Sequence, residues 1–238
     1  MYRKDVNEKS PLRVFERSIH GGLGRGNIGL VISQPGMGKT AFLVDVALDD
    51  LMRDRKVFHV DTGHTAEHLR AHYRETFHDL AEAMQLKDEA GTYQQVERNR
   101  MIQSFVRGSF DLAKVDAQLG YLRERFDFEP YCLILDGIPE WRRSTPEDLA
   151  CQLRAIKRLA GLRQVELWLS AQVHGEDERD ERGLPLRLKP YLEHISVVLQ
   201  LVPESDHVRL QLVKDHENPD VAELHLELDP RTLLLKWE

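Results

Sequence analysis

Ser33-Gln34-Pro35-Gly36-Met37-Gly38-Lys39-Thr40 follows the apolar run Ile28-Gly29-Leu30-Val31-Ile32 and precedes Ala41-Phe42-Leu43-Val44-Asp45-Val46-Ala47-Leu48. The order strand, glycine-bearing loop, Lys-Thr, helix is the context a phosphate-binding P-loop requires. Such a loop turns successive backbone N–H groups into one concavity, and the helix N-terminus adds positive potential there. Gly36 and Gly38 permit torsions that a Cβ forbids, so phosphate oxygens can approach the main chain. The candidate nucleotide-binding residues are therefore Ser33, Gln34, Pro35, Gly36, Met37, Gly38, Lys39, Thr40 and Ala41. Lys39 is the expected phosphate grip and Thr40 the expected Mg²⁺ ligand. One letter departs from G-x-x-x-x-G-K-[ST]: Ser33 stands at the first glycine, while the Gly-Met-Gly-Lys-Thr core is kept.

Composition sets the frame. The chain has 238 residues, 41% hydrophobic and 31% charged, with a formal net charge of −7. That fits one α/β domain with a substantial core. Its longest apolar runs fall short of a membrane span, and Met1-Tyr2-Arg3-Lys4-Asp5 lacks a signal-peptide core. The expectation is a cytoplasmic protein with no membrane partner. Two cysteines, Cys132 and Cys151, make no disulfide or metal framework. The acidic balance argues against a broadly nucleic-acid-coating surface, although it leaves room for a local basic groove.

Outward from the loop, residues 1–18 read as an N-terminal arm and 19–238 as the main domain. The periodicity predicts helices from about Gly38 to Arg53, Ala66 to Met84 (with Thr65 as cap), Gln94 to Phe105, Leu112 to Phe126 and Pro146 to Gly161. Strands are predicted at 56–62, 131–136, 165–171, 195–202, 207–214, 221–228 and 232–237. Helix–strand alternation followed by consecutive strands describes a mostly parallel central sheet flanked by helices, with an antiparallel C-terminal extension.

The run Leu133-Ile134-Leu135-Asp136 supplies the second half of a nucleotide site. A buried strand can carry a carboxylate at its C-terminal end, where ligands of open α/β sheets gather. Asp136 is thus the candidate partner of Thr40 for Mg²⁺.

At this point the chain resembles RecA-superfamily P-loop ATPases, especially KaiC-like proteins and DnaB-type helicase domains. Gly21-Gly22-Leu23 leading into Ser33–Thr40 looks like their opening, and Val60-Asp61-Thr62 before a helix resembles their second-strand motif. Ser170-Ala171-Gln172 resembles their third motif, which implies Gln172 as a γ-phosphate sensor. Lys214-Asp215-His216 resembles the Lys-x-Arg signature that reaches a neighbouring subunit's nucleotide. The likeness spans residues 19–237 and implies ATP and Mg²⁺ as ligands, hydrolysis of ATP to ADP and phosphate, and a homo-oligomer.

Two departures bear on that implied chemistry. Where the family carries a water-polarising glutamate, this chain has Thr62 and Gly63; Asp61 and Glu67 are the nearest acids. His216 stands where the family has arginine, and a histidine supplies no permanently charged bidentate fork. Both favour ATP binding better preserved than turnover. Three readings stay open: a weak ATPase, an ATP-dependent regulatory or assembly module, and a DNA-dependent motor, which the acidic balance disfavours.

Three other features have ordinary explanations beside functional ones. His64, His68 and His72 recur at helical spacing but lack the glutamate of a zinc-protease motif. Residues 176–182 form a mixed-charge run that reads as a solvated loop or a protein-partner contact. Trp141-Arg142-Arg143 is a small basic–aromatic spot suited to packing or to stacking a base.

Overall fold

In the computed structural model, residues 1–106, 108–138, 144–174 and 177–237 are described. The Trp141-Arg142-Arg143 spot and Glu176 lie outside them.

The loop of interest connects strand β1 (Ile28–Ser33) to helix α3 (Lys39–Met52), and two short helices, α1 (Arg3–Glu8) and α2 (Leu12–Ser18), precede it. Then come β2 (Val57–Asp61), α4 (Ala66–Ala83), α5 (Glu89–Asn99), β3 (Arg100–Ser104), α6 (Leu112–Phe126), β4 (Cys132–Asp136), α7 (Pro146–Arg163) and β5 (Glu166–Gln172). A 3-10 helix over Leu186–His194 leads to β6 (Val197–Pro203), β7 (Val208–Asp215), β8 (Leu226–Leu228) and β9 (Leu235–Trp237). The nine strands form one sheet in the order β3-β2-β4-β5-β1-β6-β7-β8-β9. The first six of that order are parallel, and β7, β8 and β9 add antiparallel.

Every residue of β1, β2 and β4 is buried, as strands covered on both faces must be. One face packs α1 to α5 against Val31, Val57, Ile134 and Trp168; the other packs α6, α7 and the 3-10 helix against Ile32, Val60, Leu135 and Leu169. The chain thus runs out to β3 with helices on one face and returns with helices on the other, which keeps each crossover right-handed. The crossovers that leave β1 and β2 cover one face and those that leave β4 and β5 the other, so they diverge between β1 and β5 and between β2 and β4.

Residues 1–18 pack against α3. Val6, Leu12 and Phe15 are buried in the α3 face, and the Phe15 ring lies 6.0 Å from that of Trp168. Asn7 Nδ2 donates to the Met52 carbonyl at 2.7 Å, and Arg3 forks onto Asp54 at 2.6 Å. Burying one side chain such as Phe15 is worth about 1.5–3 kcal/mol, enough to hold a short helix that could not persist alone. Trp168 also meets Phe42 edge-on, at 6.0 Å and 76°, and lies so close over Gly29 that a Cβ there would sit 2.6 Å from its ring.

A helix over Gln94–Phe105 does not form as one piece. The helix ends at Asn99, and Arg100–Ser104 pairs in parallel with the whole of β2. An open edge on β2 outweighs local helix propensity, and only one of the five β3 residues is fully buried, so the strand has no clean alternation to read. The last two strands are also shorter than their apolar runs. Asp229 turns the chain between them by accepting from the N–H groups of Arg231 and Thr232 at 2.9 and 3.0 Å. That hairpin is fastened to α3: Leu235 N–H donates to Asp45 Oδ2 at 3.0 Å, and Leu228 crowds Gly38.

Candidate functional site

Four strand ends converge beside the start of α3. Gly38 caps that helix in the left-handed conformation, φ 89°, and Gly36 has φ 75°. Both conformations favour glycine. α4, α5, α6 and α7 each begin on a side chain that accepts from the first turn: Thr65, Asp88, Asp111 and Thr145. α3 has no such side chain. Its first-turn amides are therefore left for an acceptor from outside the helix, and the helix end carries partial positive charge.

Lys39 folds back over the loop, its Nζ 3.1 Å from Ser33 Oγ, 3.1 Å from the Gln34 carbonyl and 3.4 Å from the Ser33 carbonyl. Burial lowers its pKa, against the opposing pull of Asp136. Ser33 thus contributes a hydroxyl that the glycine of the usual pattern cannot offer. Next in the chain, Thr40 Oγ1 donates to Asp136 Oδ2 at 2.6 Å, joining the first turn of α3 to the end of β4. Asp136 Oδ1 accepts from Ser170 Oγ on β5, and that Oγ accepts from Gly137 N–H at 2.8 Å.

Asp61 faces Asp136 directly, because the two are register partners at the ends of β2 and β4. Its carboxylate is fully buried and accepts from Gly63 N–H at 2.6 Å and from His64 N–H, and its other oxygen lies 3.1 Å from His64 Nδ1. Burial first, and the charge of Asp136 second, raise the Asp61 pKa. Glu67 falls within the first turn of α4. Gln172 ends β5 with its side chain exposed, Nε2 3.2 Å from His174 Nε2. Arg187 donates to the Gln172 carbonyl at 2.7 Å and pairs with Asp177 at 3.2 Å.

Lys214 and His216 lie elsewhere. β7 runs antiparallel to β6, so Lys214 pairs with Val198 near the amino ends of the parallel strands. Val198 is in turn level with Leu30 of β1, three residues or about 10 Å along the strand from Ser33, and β7 lies two strand spacings to the side. Within the chain Lys214 Nζ donates to the Leu192 and Ile195 carbonyls at 3.1 and 2.5 Å. His216 Nδ1 is 2.9 Å from Asp215 Oδ1 and its Nε2 3.2 Å from the Leu23 carbonyl.

Two residues of these strands were not singled out from the sequence. Ser170 was read only as part of a motif, yet it supports Asp136. His59 is completely buried, and its Nδ1 is 2.8 Å from the Tyr73 hydroxyl of α4. The signal for His59 was present: it stands two residues before Asp61 in an otherwise apolar strand, hence on the same face. The His64/His68/His72 triplet does not share a helix, because α4 begins at Ala66; His64 and His68 instead stack at 5.0 Å.

The chain matches no protein-family model, and no curated protein matches it.

Proposed function

We propose that this chain is a RecA-like P-loop domain, similar to KaiC-like and DnaB-type ATPases, that binds ATP with Mg²⁺ and hydrolyses it slowly within a homo-oligomer. The observation that carries this reading is the Thr40–Asp136 hydrogen bond of 2.6 Å beside an uncapped helix start and the Lys39 ammonium. A hydroxyl and a carboxylate in contact are a hard oxygen pair of the kind Mg²⁺ takes together with phosphate oxygens. Thr40 and Asp136 would hold the ion, and Lys39 with the first-turn amides of α3 would hold the phosphates. When bound, Mg²⁺ would neutralise charge on the phosphate oxygens.

The chain's own groups supply positioning. Ser33 Oγ and two loop carbonyls keep Lys39 over the loop, where a phosphate can replace them as its partner. Ser170 fixes the rotamer of Asp136. Gln172, exposed at the end of β5, is the proposed γ-phosphate sensor, and Lys214 and His216 the proposed contacts to a neighbour's nucleotide. Asp61 is, after Asp136, the nearest acid for orienting water, but its Oδ1 accepts from two N–H groups and its Oδ2 lies 3.1 Å from His64 Nδ1, which leaves Oδ2 alone with a lone pair for a further partner. That observation favours a second reading, in which ATP is a ligand that sets assembly or partner choice with little hydrolysis. The excess of acidic residues disfavours a DNA-driven motor.

The test is MgATP titration with sizing chromatography of wild type and Lys39→Ala, plus phosphate release with and without single-stranded DNA. Wild type is expected to bind and assemble, and Lys39→Ala to lose affinity at least tenfold. Slow basal release supports the ATPase, none despite tight binding the regulatory module, and release only with DNA the motor. Equal binding and assembly by the two proteins would refute the nucleotide site.

A further inference from the structure

Beneath the Thr40–Asp136 contact, three ligand-bearing side chains of adjacent strands point to the same side of the sheet. A ring nitrogen of His59, a carboxylate oxygen of Asp61 and one of Asp136 lie within 4.8 Å of one another, and all three residues are buried. They are the one such group among the described residues. Topology puts them there: His59 and Asp61 alternate along β2, and Asp61 is the register partner of Asp136 on β4.

A second observation concerns the imidazole itself. His59 is fully buried, its Nδ1 is engaged by Tyr73, and its Nε2 has no hydrogen-bond partner. If Nδ1 carried no proton, an Nε2–H would be stranded in the core, a costly arrangement. With the proton on Nδ1, donated to the Tyr73 oxygen, Nε2 presents a bare lone pair. An imidazole whose second nitrogen is held by an outer partner is the usual form of a metal-ligating histidine.

We infer that His59 Nε2 and the carboxylates of Asp61 and Asp136 form a binding site for a divalent transition-metal ion, of the Mn²⁺, Co²⁺ or Zn²⁺ class. One neutral imidazole with two carboxylates suits those ions, whereas Mg²⁺ prefers oxygen alone. A cation also offsets the repulsion between two facing carboxylates. The site shares Asp136 with the proposed Mg²⁺ position but uses neither Lys39 nor the loop amides, so it stands without the nucleotide reading.

The experiment titrates Co²⁺ alone into the nucleotide-free full chain, following its visible absorption bands and the bound stoichiometry, with Zn²⁺ as competitor. One Co²⁺ per chain is expected, displaced by Zn²⁺, with affinity reduced at least tenfold in His59→Gln and not reduced in Lys39→Ala. Absence of saturable uptake by wild type, or equal uptake by folded His59→Gln, overturns the site. Should His59→Gln fail to fold, imidazole ¹⁵N resonances of wild type decide: Zn²⁺ must shift His59 Nε2, and an unmoved signal refutes the assignment. Lys39→Ala that binds Co²⁺ normally but not ATP supports both sites. Wild type that binds ATP but not Co²⁺ removes this one alone.

Discussion

Replacing Asp136 with asparagine separates the fold from the proposed ligand. In the protein without ligand, two effects oppose each other. The carboxylate accepts hydrogen bonds from Thr40 and Ser170; losing the charge assistance of both costs about 2–3 kcal/mol. The same change removes repulsion from Asp61. Two unit charges within 4.8 Å interact by about 3 kcal/mol at an effective dielectric constant of about 20. The two nearly cancel, so Asp136→Asn should fold with stability within about 1 kcal/mol of wild type, or about 4 °C in Tm for a chain of this size. The ligand-bound states should part company. MgATP at a hundred times its Kd stabilises wild type by about 2.7 kcal/mol, a rise of about 5–11 °C. In Asp136→Asn the rise with ATP should no longer depend on Mg²⁺. Thermal melts monitored by circular dichroism, with ATP and either added Mg²⁺ or no divalent ion, make the comparison. A variant that keeps the full Mg²⁺-dependent rise would refute the assignment of Asp136. One that loses more than about 5 kcal/mol without ligand would refute the cancellation, and with it the repulsion assigned to Asp61 and Asp136.

Two further outcomes follow from packing and from a buried charge. Gly29→Ala puts a methyl group 2.6 Å from the Trp168 ring and should destabilise by about 1–3 kcal/mol in urea denaturation, since Trp168 is held by Phe15 and Phe42 and has nowhere to go; a loss below about 0.5 kcal/mol would show that the ring is not fixed there. Asp50 is almost wholly buried, and burial first, then Glu166, pushes its pKa up to about 7 despite its 2.9 Å bond to Arg55. Because the folded pKa lies above the unfolded one, the folded state holds the proton more tightly. This group's contribution therefore weakens as pH rises from about 4 to about 7, by as much as about 4 kcal/mol. Stability of wild type relative to Asp50→Asn should fall across that window and level off above it, whereas a flat difference would mean that Asp50 titrates normally.

The parts of the fold that were legible are those that local chemistry decides. Thr65 accepts from the amide of His68, as an N-cap should, and α6 runs from Leu112 to Phe126, where the apolar spacing put it. β4 was readable as a continuous apolar run because it is covered on both faces. What could not be read are facts of pairing. Arg100–Ser104 is a strand because β2 lies beside it. Asp61 and Asp136 are neighbours because β4 returns to lie next to β2; seventy-five positions of sequence hold no mark of that adjacency. The same pairing turns His59 from a strand residue into a candidate ligand. At the N-terminus Phe15 stands among polar neighbours, which hide the fact that it completes the Trp168 cluster.

The C-terminal hairpin touches α3 twice, at Asp45 through the Leu235 amide and at Gly38 through Leu228. Gly38 is also the hinge between the loop and the helix. The two contacts tie the first turns of α3 to the far margin of the sheet, where β9 exposes the ring of Trp237. A change in emission absent from Trp237→Phe, read against the background of the other two tryptophans, is the expected sign that a movement at Gly38 reaches that margin.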